Sequence, residues 1–218
     1  MKNFIKVSSL LFMGAFIISC ANSENKTESG DAKQVTVTEG DRTFNVDASN
    51  STINWVGSKP TGKHEGTIEI SQGEVLVTDG NLVGGNFTID MSTIKNEDLT
   101  DPEENGKLVG HLKSPDFFDI EKYPTSKFVI TSVAPITGGT ENYNVTGNLT
   151  MKDKTKSITF PVMFSLTEDA LKVESATFVI DRSEWDVRYG SRKFFDNLRD
   201  NYISDEISLQ VTINANVD

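Results

Sequence analysis

From about Arg42 onward the chain alternates apolar and polar side chains residue by residue, and no other feature narrows its fold as much. Successive side chains of an extended strand point to opposite faces, so a period of two means one oily and one wet face. "YNVTGNLTM" puts Tyr143, Val145, Leu149 and Met151 on one face. "SITFPVMFSL" does the same with Ile158, Phe160, Val162, Phe164 and Leu166, and "EISLQVTINANV" with Ile207, Leu209, Val211, Ile213, Ala215 and Val217. Weaker alternation runs through "TFNVD", "TINWVG", "GTIEI", "EVLVTDG", "NFTIDM", "KFVITSV" and "ATFVID". The stretches "SQG", "DGN" and "ITGGTEN" read as turns between them. About ten strands of this kind predict an all-β fold, an antiparallel sheet closed or folded on itself.

One segment breaks the rhythm. "TDPEENGKLVGHLKSPDFF" offers Asp101 as N-cap, Pro102 at the first helical position and Glu104 in the first turn. Leu108, Val109 and Leu112 then share a face and Pro115 stops the run, which predicts a short α-helix whose stripe joins the core. Three architectures share the strand pattern: a sandwich, a closed barrel, and a membrane-spanning barrel with its oily face outward. A single helix and the absence of flanking aromatic girdles argue against the last. With about eight strands a barrel interior is either just filled by side chains or holds one small ligand. Bulky Phe, Ile and Leu alternate with small Gly57, Gly147 and Ala215, and the pattern leaves both outcomes open.

The first residues, "MKNFIKVSSLLFMGAFIISC", place Lys2 and Lys6 ahead of an apolar run too short to span a bilayer, as in a secretory signal peptide over 1–19. The only cysteine, Cys20, ends this stretch, and "IISC" resembles a bacterial lipobox. Cleavage before Cys20 and acylation there would anchor the chain to a membrane. Residues 20–42 are then the lipidated cysteine with a polar, flexible tether, and 43–218 a single domain. The expected location is the bacterial cell envelope, lipid-anchored, at the outer membrane on its periplasmic or surface side. A lone cysteine excludes an internal disulfide. Removing Lys2 and Lys6 with the leader takes the net charge from −11 to −13. Such acidity excludes nucleic acid as a partner and electrostatic docking on anionic lipid.

"STINWVGSKPTGKHEGTIEISQGEVLVTDGNLVGGNFTIDMSTI" resembles the opening half of the YceI family. "LVGHLKSPDFFDIEKYPTSKFVIT" is similar to that family's central motif, and "YNVTGNLTMKDKTKSITFPV" to its hairpin. "DRSEWDVRYG" followed by "FFDNL" and "ISDEISL" looks like the tail of its bacterial lipoprotein branch. The likeness runs over about 43–215, with several motifs in order. Asp153 in "MKDKTK" stands where the family commonly has glycine. The resemblance implies a lipocalin-like antiparallel β-barrel with a helix near one end, holding a long apolar molecule such as a polyisoprenoid chain or a fatty-acid amide. It implies binding and not catalysis.

Lining residues can carry such binding alone. Each buried methylene contributes about 0.8 kcal/mol, so ten supply about 8 kcal/mol, the scale of a micromolar dissociation constant before ordering costs. The alternation nominates Trp55, Phe87, Ile89, Phe128, Ile130, Leu149, Phe160, Val162, Phe178 and Ile180 as the lining, against a simple filled core. His64 and His111 are the only histidines, too few to gather a metal site, and a structural hydrogen-bonding role suits each. No Ser-His-Asp pattern, phosphate loop or nucleophile elbow occurs, and no cofactor is called for. In "DRSEWDVRYGSRKFFDNLRD" five cations balance five carboxylates. That balance fits ion pairs tying a loop across a barrel end. The functional alternative has Arg182 or Arg188 gripping an amphiphile's head group, with His64, Trp185 and Tyr189 at the mouth. Two further readings stay open: a filled structural or stress-related envelope module, and an enzyme acting on such a lipid through His64 or the 181–192 loop. Oligomeric state is likewise open, a homodimer included.

Overall fold

The computed structural model describes residues 26–36 and 39–217. The leader, Cys20 and the first tether residues lie outside the described residues. Eleven strands form one sheet: β1 (Gly30–Asp31), β2 (Arg42–Val46), β3 (Thr52–Lys59), β4 (Gly62–Thr78), β5 (Asn81–Asn96), β6 (Thr125–Pro135), β7 (Tyr143–Met151), β8 (Lys154–Leu166), β9 (Ala170–Ser175), β10 (Phe178–Asp181) and β11 (Glu206–Asn216). Helix α1 (Pro102–Lys113) follows β5.

Every named strand pairing is antiparallel, and the pairings close a ring. β3 to β9 pair in sequence, β9 pairs with β11, and β11 returns to β3. Eight strands thus make a barrel, as the alternation and the family likeness predict, and the sandwich is excluded. Ile158, Phe160 and Val162 of β8 point into it, so the oily faces turn inward and the membrane-spanning alternative falls with them. Among the described residues no helix is long and apolar enough to cross a membrane.

Two short strands extend positions in the ring. β2 extends the place of β3 between β4 and β11, joined to it by a 3₁₀ turn at Ala48–Asn50 that Asp47 caps. β10 continues β9 along β11, from Phe178 opposite Leu209 to Asp181 opposite Glu206. The lower half of β8 would then be an open edge, and the segment expected as a free tether fills it. Lys26 bridges Val179 in parallel, the Thr27 N–H donates to the Val179 carbonyl at 2.9 Å, and β1 pairs with Lys156 and Ser157 of β8. Asn148 completes the attachment by exchanging hydrogen bonds of 2.9 and 2.7 Å with the Lys33 backbone. A polar stretch can dock this way because unpaired edge N–H and C=O groups need partners whatever the side chains are.

Three expectations are corrected. "SQG" is not a turn, since β4 runs through it with register shifts against β5. β9, carrying Leu171 and Val173, is an additional strand. α1 begins where expected, with Asp101 accepting from the Glu103 and Glu104 N–H groups at 2.9 and 3.0 Å, yet none of its residues is buried. Of its stripe, Leu112 packs partly buried against the core, and both Leu108 and Leu112 border open space.

The departure at Asp153 also has a local account. Met151 pairs with Lys154, leaving a two-residue turn in which Lys152 and Asp153 both take positive φ, 48° and 58°. That is the twist a tight hairpin demands, and aspartate tolerates the left-handed region better than most residues that are not glycine.

Candidate functional site

Two cavities lie end to end inside the barrel. The deeper holds about 90 Å³ and is bordered by apolar side chains apart from Ser175. The outer holds about 420 Å³ and opens between the β3–β4 turn, α1 and the long loop before β11. Ile53, Ile89, Leu149 and Leu209 border both and form the neck between them. Along β11 the inward stripe passes from Ile207 in the outer cavity through Leu209 to Val211 and Ile213 in the deep one. The six residue steps from Ile207 to Ile213 make this wall about 20 Å long. Ile207, Leu209 and Val211 are only half-buried although they face the barrel interior, because the space beside them is open.

A band of four aromatic rings surrounds the deep cavity. Phe160 and Phe178 stack at 4.2 Å and 3°, across the seam that residues 26–31 close from outside. Phe128 packs on Phe160 at 5.5 Å and on Phe87 at 6.4 Å. Gly147 makes room for this band: a Cβ there would come within 2.3 Å of the Phe128 ring, so the ring folds back over β7 and leaves the centre open.

All ten nominated lining residues border a cavity. Phe87, Phe128, Ile130, Phe160, Val162 and Phe178 line the deep one, Trp55 and Ile180 the outer one, and Ile89 and Leu149 both. Of the nominated mouth residues, His64, Arg182 and Tyr189 border the outer cavity. Trp185 and Arg188 do not, and their placement there is corrected. The 3₁₀ turn Arg182–Trp185 carries Trp185 inward until it is 0% exposed, with its Nε1–H donating to the Leu149 carbonyl at 2.9 Å. Asp186 then adopts φ 63°, turning the chain outward. Arg188 consequently points to solvent, donating to Asp186 at 2.6 Å and covering the Phe194 ring.

Arg182 behaves as the packed alternative anticipates. It is 1% exposed, and its donors reach the Ser204, Val187, Tyr189 and Ile203 carbonyls at 3.0, 2.7, 2.8 and 3.2 Å. Burial draws its pKa down, which Asp205 and Asp181 oppose. The guanidinium thus holds the 186–205 loop on the barrel end. Of the expected five-against-five pairing, Lys193–Asp181 at 2.6 Å and Arg188–Asp186 form within the segment. Arg192 instead donates to the Arg199 carbonyl and lies over Tyr202, and Glu184 reaches across to Lys156 of β8.

The histidines flank the mouth, each beside a carboxylate. His64 Nδ1 lies 2.9 Å from Asp98, and His111 Nε2 lies 3.2 Å from Asp116. Burial raises the Asp98 pKa, but hydrogen bonds from the Glu65 N–H, His64 and Asn96 outweigh it and hold the pKa down at about 2. His111 meets Phe117 and Tyr189 edge-on at 5.0 and 4.6 Å. Among the described residues no three His, Cys, Asp or Glu side chains gather as metal ligands would. Met91, Ile94, Phe117, Phe118 and Ile203 also border the outer cavity and were not nominated. Met91 and Ile94 sit in a bulged part of β5 where strict alternation fails, and the other three lie outside strands, beyond the reach of a period-two pattern.

Comparison with known proteins agrees with this architecture. The chain resembles Burkholderia cenocepacia BcnA with a TM-score of 0.60 and 26% identity, over 78% of this chain and 99% of that one. A domain from Saccharophagus degradans described as polyisoprenoid binding and implicated in plant cell wall breakdown shares the fold, with a TM-score of 0.56 and 14% identity, over 80% and 98%. A UPF0312 protein of Pseudomonas putida is 47% identical over 55 residues, which is 25% of this chain and 28% of that relative's length. The profile of the YceI-like domain matches residues 44–215, the whole barrel, and the chain belongs to the YceI-like domain family.

Proposed function

We propose that this protein binds and carries one long apolar molecule, a polyisoprenoid or fatty-acid-like amphiphile, lengthwise inside its barrel. The observation that carries the reading is the pair of cavities end to end, about 90 and 420 Å³, the deep one walled by apolar side chains apart from Ser175 and the other polar groups lying in the outer one. The outer volume alone falls in the range of small-molecule sites. The polyisoprenoid binding described for the Saccharophagus domain supports the same ligand class. Binding without turnover fits a site where neither histidine adjoins a nucleophile and each is committed to a carboxylate. Extracting the purified protein into organic solvent, followed by mass spectrometry, tests this. A stoichiometric apolar guest, or uptake of one when offered, is expected. Chemical conversion of an offered guest, or failure to hold any, overturns it.

We further propose, from the leader-like start and the "IISC" stretch, that the protein sits in the bacterial envelope, anchored through an acylated Cys20. Replacing Cys20→Ser should release it from the membrane fraction, and unchanged partitioning would remove the anchor.

A further inference from the structure

We infer that the head group accepted at the mouth is uncharged, a hydroxyl, carbonyl or amide, and that the same tail carrying a phosphate or diphosphate is disfavoured. This rests on the cavity reading above and adds the chemistry of the exposed end.

A phosphate head needs a cation with free N–H donors, held where solvent competes poorly. Arg182 is the buried cation at this mouth, and it is already spent. Four of its five N–H groups point at backbone carbonyls of Val187, Tyr189, Ile203 and Ser204, and its remaining surroundings include Asp205 at 3.4 Å. Turning it toward a ligand would strand those carbonyls and free the loop they belong to. Around the rim Lys63 is committed to Glu65 at 2.9 Å, Lys193 to Asp181 at 2.6 Å and Arg188 to Asp186. Lys59, which also borders the cavity, pairs with no carboxylate among the described residues but is exposed, where solvent competes for it.

The local charge sum points the same way. Lys59 and Arg182 border the outer cavity, and so does Asp200. Asp98 and Asp116 stand behind the two histidines, and Asp205 stands behind Arg182. Two cations against four carboxylates leave about −2 with the histidines neutral. A diphosphate brought here meets like charge and loses its hydration without compensation. A neutral head meets groups that suit it. Among the described residues the Tyr189 hydroxyl and the Asn201 side-chain amide, both bordering the cavity, make no hydrogen bond within the protein.

The test uses geranylgeraniol and geranylgeranyl diphosphate, one tail with two heads, each displacing a fluorescent alkyl probe from the purified protein. The alcohol should bind about tenfold or more tightly at about 0.1 M salt, and the gap should shrink at about 1 M, where screening shortens from about 10 to about 3 Å. Asp200→Lys should raise the affinity for the diphosphate by a larger factor than that for the alcohol. Diphosphate binding as tight as alcohol binding overturns the head-group inference and leaves the cavity reading standing. A gap that neither salt nor Asp200→Lys changes also overturns it, since the discrimination would then be steric. Failure of both compounds to displace the probe overturns the cavity reading itself.

Discussion

Leu209→Phe probes the division of the interior into two cavities. Leu209 sits in the first half of β11, opposite Trp55 on β3 and Phe178 on β10, and borders both spaces with Ile53, Ile89 and Leu149. A phenyl ring there closes the neck and removes the deep 90 Å³ from use. At about 30 Å³ per small group, that space takes about three methylene-sized units, and the outer 420 Å³ takes about fourteen. Three units at about 0.8 kcal/mol each come to about 2.4 kcal/mol, or about 50-fold in dissociation constant. The assay is a titration of straight-chain alcohols from about ten to about twenty carbons against both proteins, bracketing that capacity. Wild type should gain affinity with length up to about seventeen units and the variant should stop near fourteen. The longest tails then lose about 50-fold and the shortest almost nothing. Thermal melts separate this from general damage, since overpacking costs about 1–3 kcal/mol whatever the ligand. An equal loss at every length, or no loss at any, would refute the neck.

Three further outcomes follow from the same geometry. Trp185→Phe deletes the buried bond to the Leu149 carbonyl and should cost about 1–3 kcal/mol, read as a Tm lowered by several degrees. Ligand affinity should stay put, because Trp185 borders neither cavity, and a tenfold weaker affinity would return it to the mouth. Asp153→Gly relieves a positive φ in the β7–β8 turn and should raise stability by about 0.5–1 kcal/mol in denaturant unfolding, whereas a fall would show that Asp153 holds the turn by other means. Asp98, with a folded pKa of about 2 against about 3.9 unfolded, gives stability that is present above about pH 4 and lost as pH falls toward 2. Its partial exposure limits this to about 1 kcal/mol, so Asp98→Asn should flatten the acid limb of urea midpoints by that amount and leave neutral ligand binding within twofold.

The strands were legible because facing is a local property. Phe160 and Val162 must point the same way in any extended backbone, so their shared wall follows from spacing alone. Whether they meet other side chains or empty space is not local. It depends on how many strands close the ring and on where each ring packs, and those are set by distant partners. Phe128 illustrates the difference: it lies back over β7 only because position 147, nineteen residues away, has no Cβ. The arginines failed in another way. Arg182 and Arg188 have the same chemistry and similar neighbours in sequence, so composition assigned them one role. One 3₁₀ turn and one left-handed Asp186 separate them, sending the first into a nest of carbonyls and the second to solvent. Residues 26–33 were missed for a third reason, since they attach mainly through backbone hydrogen bonds and the Asn148 amide, which no side-chain pattern of their own encodes. That last attachment has a physical consequence. Residues 26–31 are a stave of the barrel wall and lie over the Phe160–Phe178 stack, so under the proposed anchoring at Cys20 a pull from the N-terminal side would load the seam beside the deep cavity before it moved the mouth.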